Sequence, residues 1–456
     1  MNAIARPDAK RGLDYRTVWR WHFYAGLFCI PFVLWLAATG SIYLFKPQIE
    51  RWLDRPYDHL AIDGPRAQPS AQAAAALAAV PGAALNAYEL PPSTDAAARV
   101  LVGEGERLVR VYVHPQTLAI LKVVDEDTRP MRFIFRLHGE LMLGDRGSMI
   151  VELAASWTIV MLLTGLFLWW PRGRGVAGIV YPRLRGGARV FWRDLHAVTG
   201  LWISVFALFL LISGLPWAAS WGGLLKEVRS LGSTTVVQQD WSSGRASELT
   251  ERRAANAAAG GEHAAHRMHV DASAVRDYAA LDRLVPLVDA QGLAAPVLIA
   301  PPSRAAATWT ARSDAQNRPL RANLELDGAN GTILARSDFA QRPLLDRIVG
   351  IGVAAHEGQL FGWPNQALGA FTALGLILVS SSAIVLWWRR RLRGVLGAPR
   401  AHASQSMSAL LLGGIALLAL LLPLFGLSLL AMLMLERFAL RRSARISHFL
   451  GLRAAD

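Results

Sequence analysis

Four apolar runs, at about 23–45, 149–170, 197–219 and 366–388, are each long enough to cross a hydrocarbon core as a helix. A fifth apolar region, 407–435, is long for one crossing and short for two, with Pro423 and Gly426 near its middle. The segments between the first and second runs, and between the third and fourth, each exceed a hundred residues and carry mixed charge. Their patterning differs from that of the runs. "VRVYVHPQTLAILKVV" (109–124) alternates β-branched and polar residues on either side of a turn, and "RANLELDGANGTILARS" (321–337) does the same around "DGANG". Both predict β-hairpins of small α+β domains, with the Ala-rich piece at 71–84 as a packing helix for the first. The stretch 242–269 is low in complexity and reads as a flexible insert.

Composition places these elements in a membrane. At 53% hydrophobic residues and 16 tryptophans, the chain is too apolar for an ordinary soluble domain and is expected to be a polytopic α-helical membrane protein with the lipid bilayer as a partner. A net charge of +14 would suit a nucleic-acid binder, but the arginines crowd beside apolar runs, so no nucleic-acid partner is expected. Between 171 and 195, Arg172, Arg174, Arg183, Arg185, Arg189 and Arg193 face one acid, Asp194, and 389–406 holds five arginines and no acid. With the basic N-terminal tail (Arg6, Lys10, Arg11, Arg16, Arg20), these segments are assigned to the cytoplasm by the positive-inside rule.

The expected order is therefore a cytoplasmic tail (1–22), a first span (23–45), a first external domain (46–148), a second span (149–170) and a basic cytoplasmic loop (171–195). A third span (196–219), a second external domain (220–365), a fourth span (366–388), a second basic loop (389–406), a C-terminal membrane hairpin (407–435) and a cytoplasmic tail (436–456) follow. The alternative for 407–435 is a single crossing, which would place Arg437, Arg441, Arg442 and Arg445 outside. Run one is longer than a signal-peptide core and lacks a small-residue cleavage site, so it is expected to remain as an anchor. The one cysteine, Cys29, allows neither an intrachain disulfide nor covalent c-type haem attachment.

An internal repeat supplies the candidate chemistry. His22 precedes Gly26 and Gly40 by 4 and 18 residues, and His196 precedes Gly200 and Gly214 by the same offsets. From His138, Gly144, Trp169, Trp170 and Arg172 lie at +6, +31, +32 and +34, as do Gly362, Trp387, Trp388 and Arg390 from His356. The chain thus reads as a duplicated unit of span, external domain and span about a pseudo-twofold axis along the membrane normal. That axis faces His22 with His196 near the cytoplasmic surface and His138 with His356 near the external one. Two facing neutral imidazoles can supply both axial ligands of a haem iron, and nearby glycines leave room for the macrocycle. Without a C-x-x-C-H motif the cofactors would be two non-covalent, bis-histidine haem b groups.

Plainer readings exist for each element. A histidine at a span end can snorkel or cap, glycines let helices pack closely, and the tryptophan pairs suit an aromatic belt. Arg20, Arg172, Arg193 and Arg390 can neutralise haem propionates, but topology alone also places arginines there. "HAAHRMH" sets His263, His266 and His269 at a spacing that could gather a metal on a helix, yet its Ala/Gly-rich surroundings lack carboxylates and read as a solvated loop. No phosphate loop, dinucleotide fingerprint or nucleophilic triad is present.

These residues resemble the PepSY-associated transmembrane proteins, which include bacterial inner-membrane ferric-siderophore reductases. The resemblance covers most of the chain and rests on "WRWHFYAGL" and "LHAVTGLW" opening spans, "RLHGELMLG" and "AHEGQLFG" preceding spans, and "LFLWWPR" and "IVLWWRR" closing them. The hairpins "VYVHPQTLAIL" and "LELDGANGTIL" complete it, with Leu118 standing where the family hairpin has the glycine that Gly331 supplies in the second copy. It implies a bacterial inner-membrane protein with external PepSY-like domains and a role in iron acquisition. Electrons from a cytoplasmic donor would pass through membrane haems to Fe(III) held by a siderophore outside, with His22 and His196 on the inner haem and His138 and His356 on the outer one. Two competing readings are a siderophore transport or binding component with structural histidines, and a PepSY-type interaction protein that restrains a protease outside the membrane.

Overall fold

The computed structural model describes residues 9–104, 107–170, 176–230, 278–302, 308–399 and 407–452. The insert at 242–269 with His263, His266 and His269, and also Arg172 and Arg174, lie outside the described residues. Along the chain, α1 (Ala9–Leu44), α2 (Lys46–Asp58) and α3 (Pro69–Ala79) lead into strands β1 (Ala84–Glu89), β2 (Ala98–Glu104), β3 (Arg107–Val113) and β4 (Ile120–Asp125). Helices α4 (Pro130–Glu140), α5 (Asp145–Trp169), α6 (Gly187–Gly214), α7 (Ala219–Ser230) and α8 (Ala280–Asp289) come next. Strands β5 (Val297–Ala300), β6 (Trp309–Ser313), β7 (Ala322–Leu326) and β8 (Ile333–Asp338) precede α9 (Leu344–His356) and α10 (Trp363–Arg390). The last helices are α11 (Ala409–Leu421), α12 (Pro423–Leu435) and α13 (Ala444–Leu450).

Among the described residues, five helices are long and apolar enough to cross a bilayer: Tyr15–Leu44, Asp145–Trp169, Gly187–Trp217, Trp363–Arg390 and Pro423–Leu440. The chain is a polytopic helical membrane protein. Its helices overrun the apolar runs, because hydrophobicity marks what lipid covers whereas backbone hydrogen bonding continues into polar sequence. His22 therefore lies thirteen positions inside α1 and His196 nine inside α6, a full two turns or more from either helix start. In the fifth apolar region the helix breaks at Leu422, where Pro423 lacks the N–H to continue α11 and instead opens α12.

Chain contacts separate a helical unit (1–41, 138–236 and 367–456) from a sheet unit (42–137 and 237–366). In the helical unit, buried Glu152 of α5 accepts hydrogen bonds from the backbone N–H groups of Ser220 and Trp221, so a carboxyl group sits where the N-terminus of α7 leaves donors unpaired. Trp157 of α5 packs edge-on against Phe425 of α12 and donates its indole N–H to Ser428 at 2.9 Å.

The sheet unit holds one eight-stranded antiparallel sheet in the order β4-β3-β2-β1-β5-β6-β7-β8. The hairpins read from 109–124 and 321–337 are β3–β4 and β7–β8. The two halves join through β1 and β5, where Tyr88 pairs with Ile299 and Glu89 with Leu298. Joined this way, neither half leaves its inner edge unpaired. One face carries α3 and α8 over a shared core of Val100, Val111, Ile299, Leu324, Leu281 and Leu284. The alanines of α3 let it lie close to the strands, and Asp282 of α8 accepts from the Ser70 backbone and hydroxyl at 2.7 Å each, locking the two helices together. The opposite face of the first half is ionic. Arg99 pairs with Glu89, Asp54 and Asp58, and Arg110 with Glu89 and Glu126. Burial opposes the Glu126 carboxylate, but Arg110 and Arg129 beside it win and lower its pKa to about 2.

Candidate functional site

Within the helical unit, α1 and α6 bring His22 and His196 together, ring centroids 6.4 Å apart and planes at 80°. Edge-to-face rings fall in the same distance range, so spacing alone does not define the pair. Hydrogen bonding does. His22 Nδ1 lies 3.1 Å from the Met161 carbonyl of α5 and 3.1 Å from Thr164 Oγ1. A carbonyl can only accept, so Nδ1 carries the proton and donates; Thr164 accepts as well, since its own hydroxyl donates to the Val160 carbonyl at 2.8 Å. His196 repeats the arrangement on α10, donating from Nδ1 to the Val379 carbonyl at 3.0 Å and to Ser382 Oγ at 3.3 Å. The Ser382 proton is in turn committed to Val379. Both neutral rings thereby keep Nε2 as their lone-pair nitrogen, the state a metal ligand needs.

His138, near the end of α4, is placed by the same device. Its Nδ1 lies 2.9 Å from Thr39 Oγ1, whose proton goes to the Trp35 carbonyl at 2.8 Å. A small residue follows the hydroxyl in each case and gives the ring its place. A Cβ on Gly40 would stand 3.1 Å from His138 Cε1, and one on Gly165 the same distance from His22 Cε1. His356 ends α9 in the sheet unit, where the buried Arg318–Glu357 ion pair at 2.8 Å secures the turn directly behind it.

The hydroxyls were readable from the repeat and escaped the histidine-and-glycine reading. Thr39 and Ser213 each lie 17 residues after His22 and His196; Thr164 and Ser382 each lie 26 after His138 and His356. All four precede a small residue: Gly40, Gly214, Gly165 and Ala383. The arginines near the pair have partners of their own. Arg20 bonds the carbonyls of Pro399 and Gly451, Arg193 joins Arg183 on the fully buried Asp194, and Arg390 bonds Gly397 and lies over Trp19 and Phe23. The first tryptophan of each pair is a loop anchor, Trp169 donating to the Ile179 carbonyl and Trp387 to that of Leu396.

Two imidazoles, each with Nδ1 committed to a helix carbonyl, are the kind of donor set that a haem iron would take. Two imidazoles are too few for a bare transition-metal ion, which takes three or four protein ligands, and no group of three or more His, Cys, Asp or Glu side chains able to hold a metal occurs among the described residues. A haem iron asks the protein for two.

No curated protein matches the chain. A family model, the PepSY-associated TM region, matches residues 19–390, a stretch that includes all four repeat histidines and both tryptophan pairs. The chain belongs to the PepSY-associated transmembrane family.

Proposed function

We propose that the protein is a haem-b transmembrane oxidoreductase that passes electrons from a cytoplasmic donor to Fe(III) held by a siderophore on the opposite side of a bacterial inner membrane, for iron acquisition. The observation that carries this reading is the His22–His196 pair, two imidazoles on separate spans whose Nδ1 protons are tied to helix carbonyls and whose Nε2 lone pairs remain for ligation. Haem b supplies a one-electron carrier. The chain would hold it through Nε2 of His22 and His196, and the Met161 and Val379 carbonyls fix each ring and raise its basicity. His138 and His356 form the second pair in this reading, and Thr39 and Gly40 seat the His138 ring. The duplicated unit about a pseudo-twofold axis, the cytoplasmic placement of both termini and of the basic loops, and the external placement of the sheet unit belong to the same reading. Reduction helps release because hard siderophore oxygens favour Fe(III) over the softer Fe(II).

A pyridine-haemochrome assay on detergent-purified protein tests this. The expected result is about two haems per chain, falling to about one in His196→Ala. Retention of both haems in that variant would overturn the pairing. No haem in folded protein supplied with excess haem would leave a non-redox siderophore component or a PepSY-type interaction protein as the better reading.

A further inference from the structure

Helix α9 has two apolar faces. Val349, Gly350, Val353 and Ala354 are buried against the sheet unit, as helical spacing on one side requires. Leu344, Leu345, Ile348 and Ile351, at i, i+1, i+4 and i+7, form a second stripe that no described residue covers, with Leu344 67% and Ile348 58% exposed. Phe361 and Trp363 extend it, the latter 77% exposed at the first residue of α10. An exposed apolar stripe on a folded surface marks a contact with something apolar. The corresponding helix of the first half, α4, exposes only Phe133 among its large apolar side chains. The stripe is therefore a property of this helix and not of the repeated plan.

Chain connectivity identifies the occupant. Positions 357–362 alone separate α9 from the span that begins at Trp363. Six residues reach at most about 20–22 Å, so the C-terminal end of α9 cannot leave the vicinity of the bilayer surface. An exposed tryptophan at a span mouth is the residue type that settles among headgroups, and Arg347, exposed beside Ile348, adds the cationic edge of an interfacial helix.

We infer that α9 is an in-plane membrane helix, resting its Leu344, Leu345, Ile348 and Ile351 face in the headgroup–acyl boundary of the bilayer that α10 crosses. Because His356 is the last residue of α9, this seating fixes the depth of that imidazole independently of any cofactor. The inference holds whether or not the protein carries haem.

Spin labels test it on the full chain in lipid nanodiscs containing anionic lipid. In a Cys29→Ala background, Leu344→Cys and Ile348→Cys are labelled singly, with Glu325→Cys as a water-exposed reference and Leu374→Cys as one inside a span. Collision with oxygen should exceed collision with a water-soluble nickel chelate at 344 and 348, as at 374, and reverse at 325. Nickel-dominated collision at both α9 positions would overturn the inference. So would dipolar broadening that appears with two chains per disc and vanishes with one, which would assign the stripe to a second copy of the chain.

Discussion

The two halves of the sheet unit turn from sheet to helix through the same six-residue pattern. "DEDTRP" (125–130) leaves β4 and "DFAQRP" (338–343) leaves β8. In both, the aspartate caps a short 3-10 turn and the proline stands at the start of a helix, which is what the backbone requires there. The second position is where they part. Glu126 enters an ion network with Arg110 and Arg129, and Arg129 reaches on to Glu50 and Asp54 of α2. Phe339 is buried instead, pressed under Gly350 of α9, and the matching Arg342 lies over its ring at 5.5 Å. Backbone geometry thus dictated the shared residues, and the partner helix dictated the rest. A charged α2 lies against the first half, while in the second half an apolar α9 takes that role.

The comparison breaks most sharply at Glu126. Glu126→Ala leaves the buried Arg110 guanidinium with Glu89 as its carboxylate partner, and should cost about 3–4 kcal/mol in hydrogen-exchange protection of β3 in the full chain. Equal loss in β3 and β7 would mean that the halves share one cooperative opening and that the difference in chemistry has no local effect. Acid makes the same comparison without mutation. A pKa lowered to about 2 in the fold, from the ordinary glutamate value of about 4.3, gives stability that is present above pH 4.3 and lost as pH falls towards 2. By pH 3, β3–β4 should have lost about 2 kcal/mol of protection, ahead of β7–β8. The smallest effect concerns the hairpin turns, where Gly331 has φ 79° and Leu118, at the matching place, φ 61°. Gly331→Ala should cost about 1 kcal/mol in β7–β8 protection, the strain that Leu118 already carries in the first half.

Much of the molecule was legible in its sequence because the signals are local. Apolar length gave the spans, alternation gave the hairpins, and Pro423 gave the helix break in the last apolar region. The equal offsets from His22 and His196 were also visible in the chain, and the two rings lie together in the fold. What stayed hidden depends on distant partners. The "D…RP" repeat runs at a spacing of 213 whereas the histidines repeat at 218, because Pro343 to His356 spans thirteen positions and Pro130 to His138 eight. An alignment anchored on histidines slips past it. The pairing of β1 with β5 crosses some two hundred residues and has no periodic signature. The hydroxyls Thr39, Thr164 and Ser382 look like ordinary small polar residues in a span until a neighbouring helix supplies the imidazole.

The junction of β1 and β5 bears on how such a chain assembles. Equivalent edge strands that pair antiparallel are what two identical molecules present to each other across a twofold axis. A half-length chain of this design would have had to find a second copy to cover that edge, and its assembly would have depended on how many copies the membrane held. With both halves in one polypeptide the encounter is intramolecular, so β1 meets β5 at any expression level. The linkage also frees each half to diverge, because a change in one no longer has to be accepted at the mirrored place in the other.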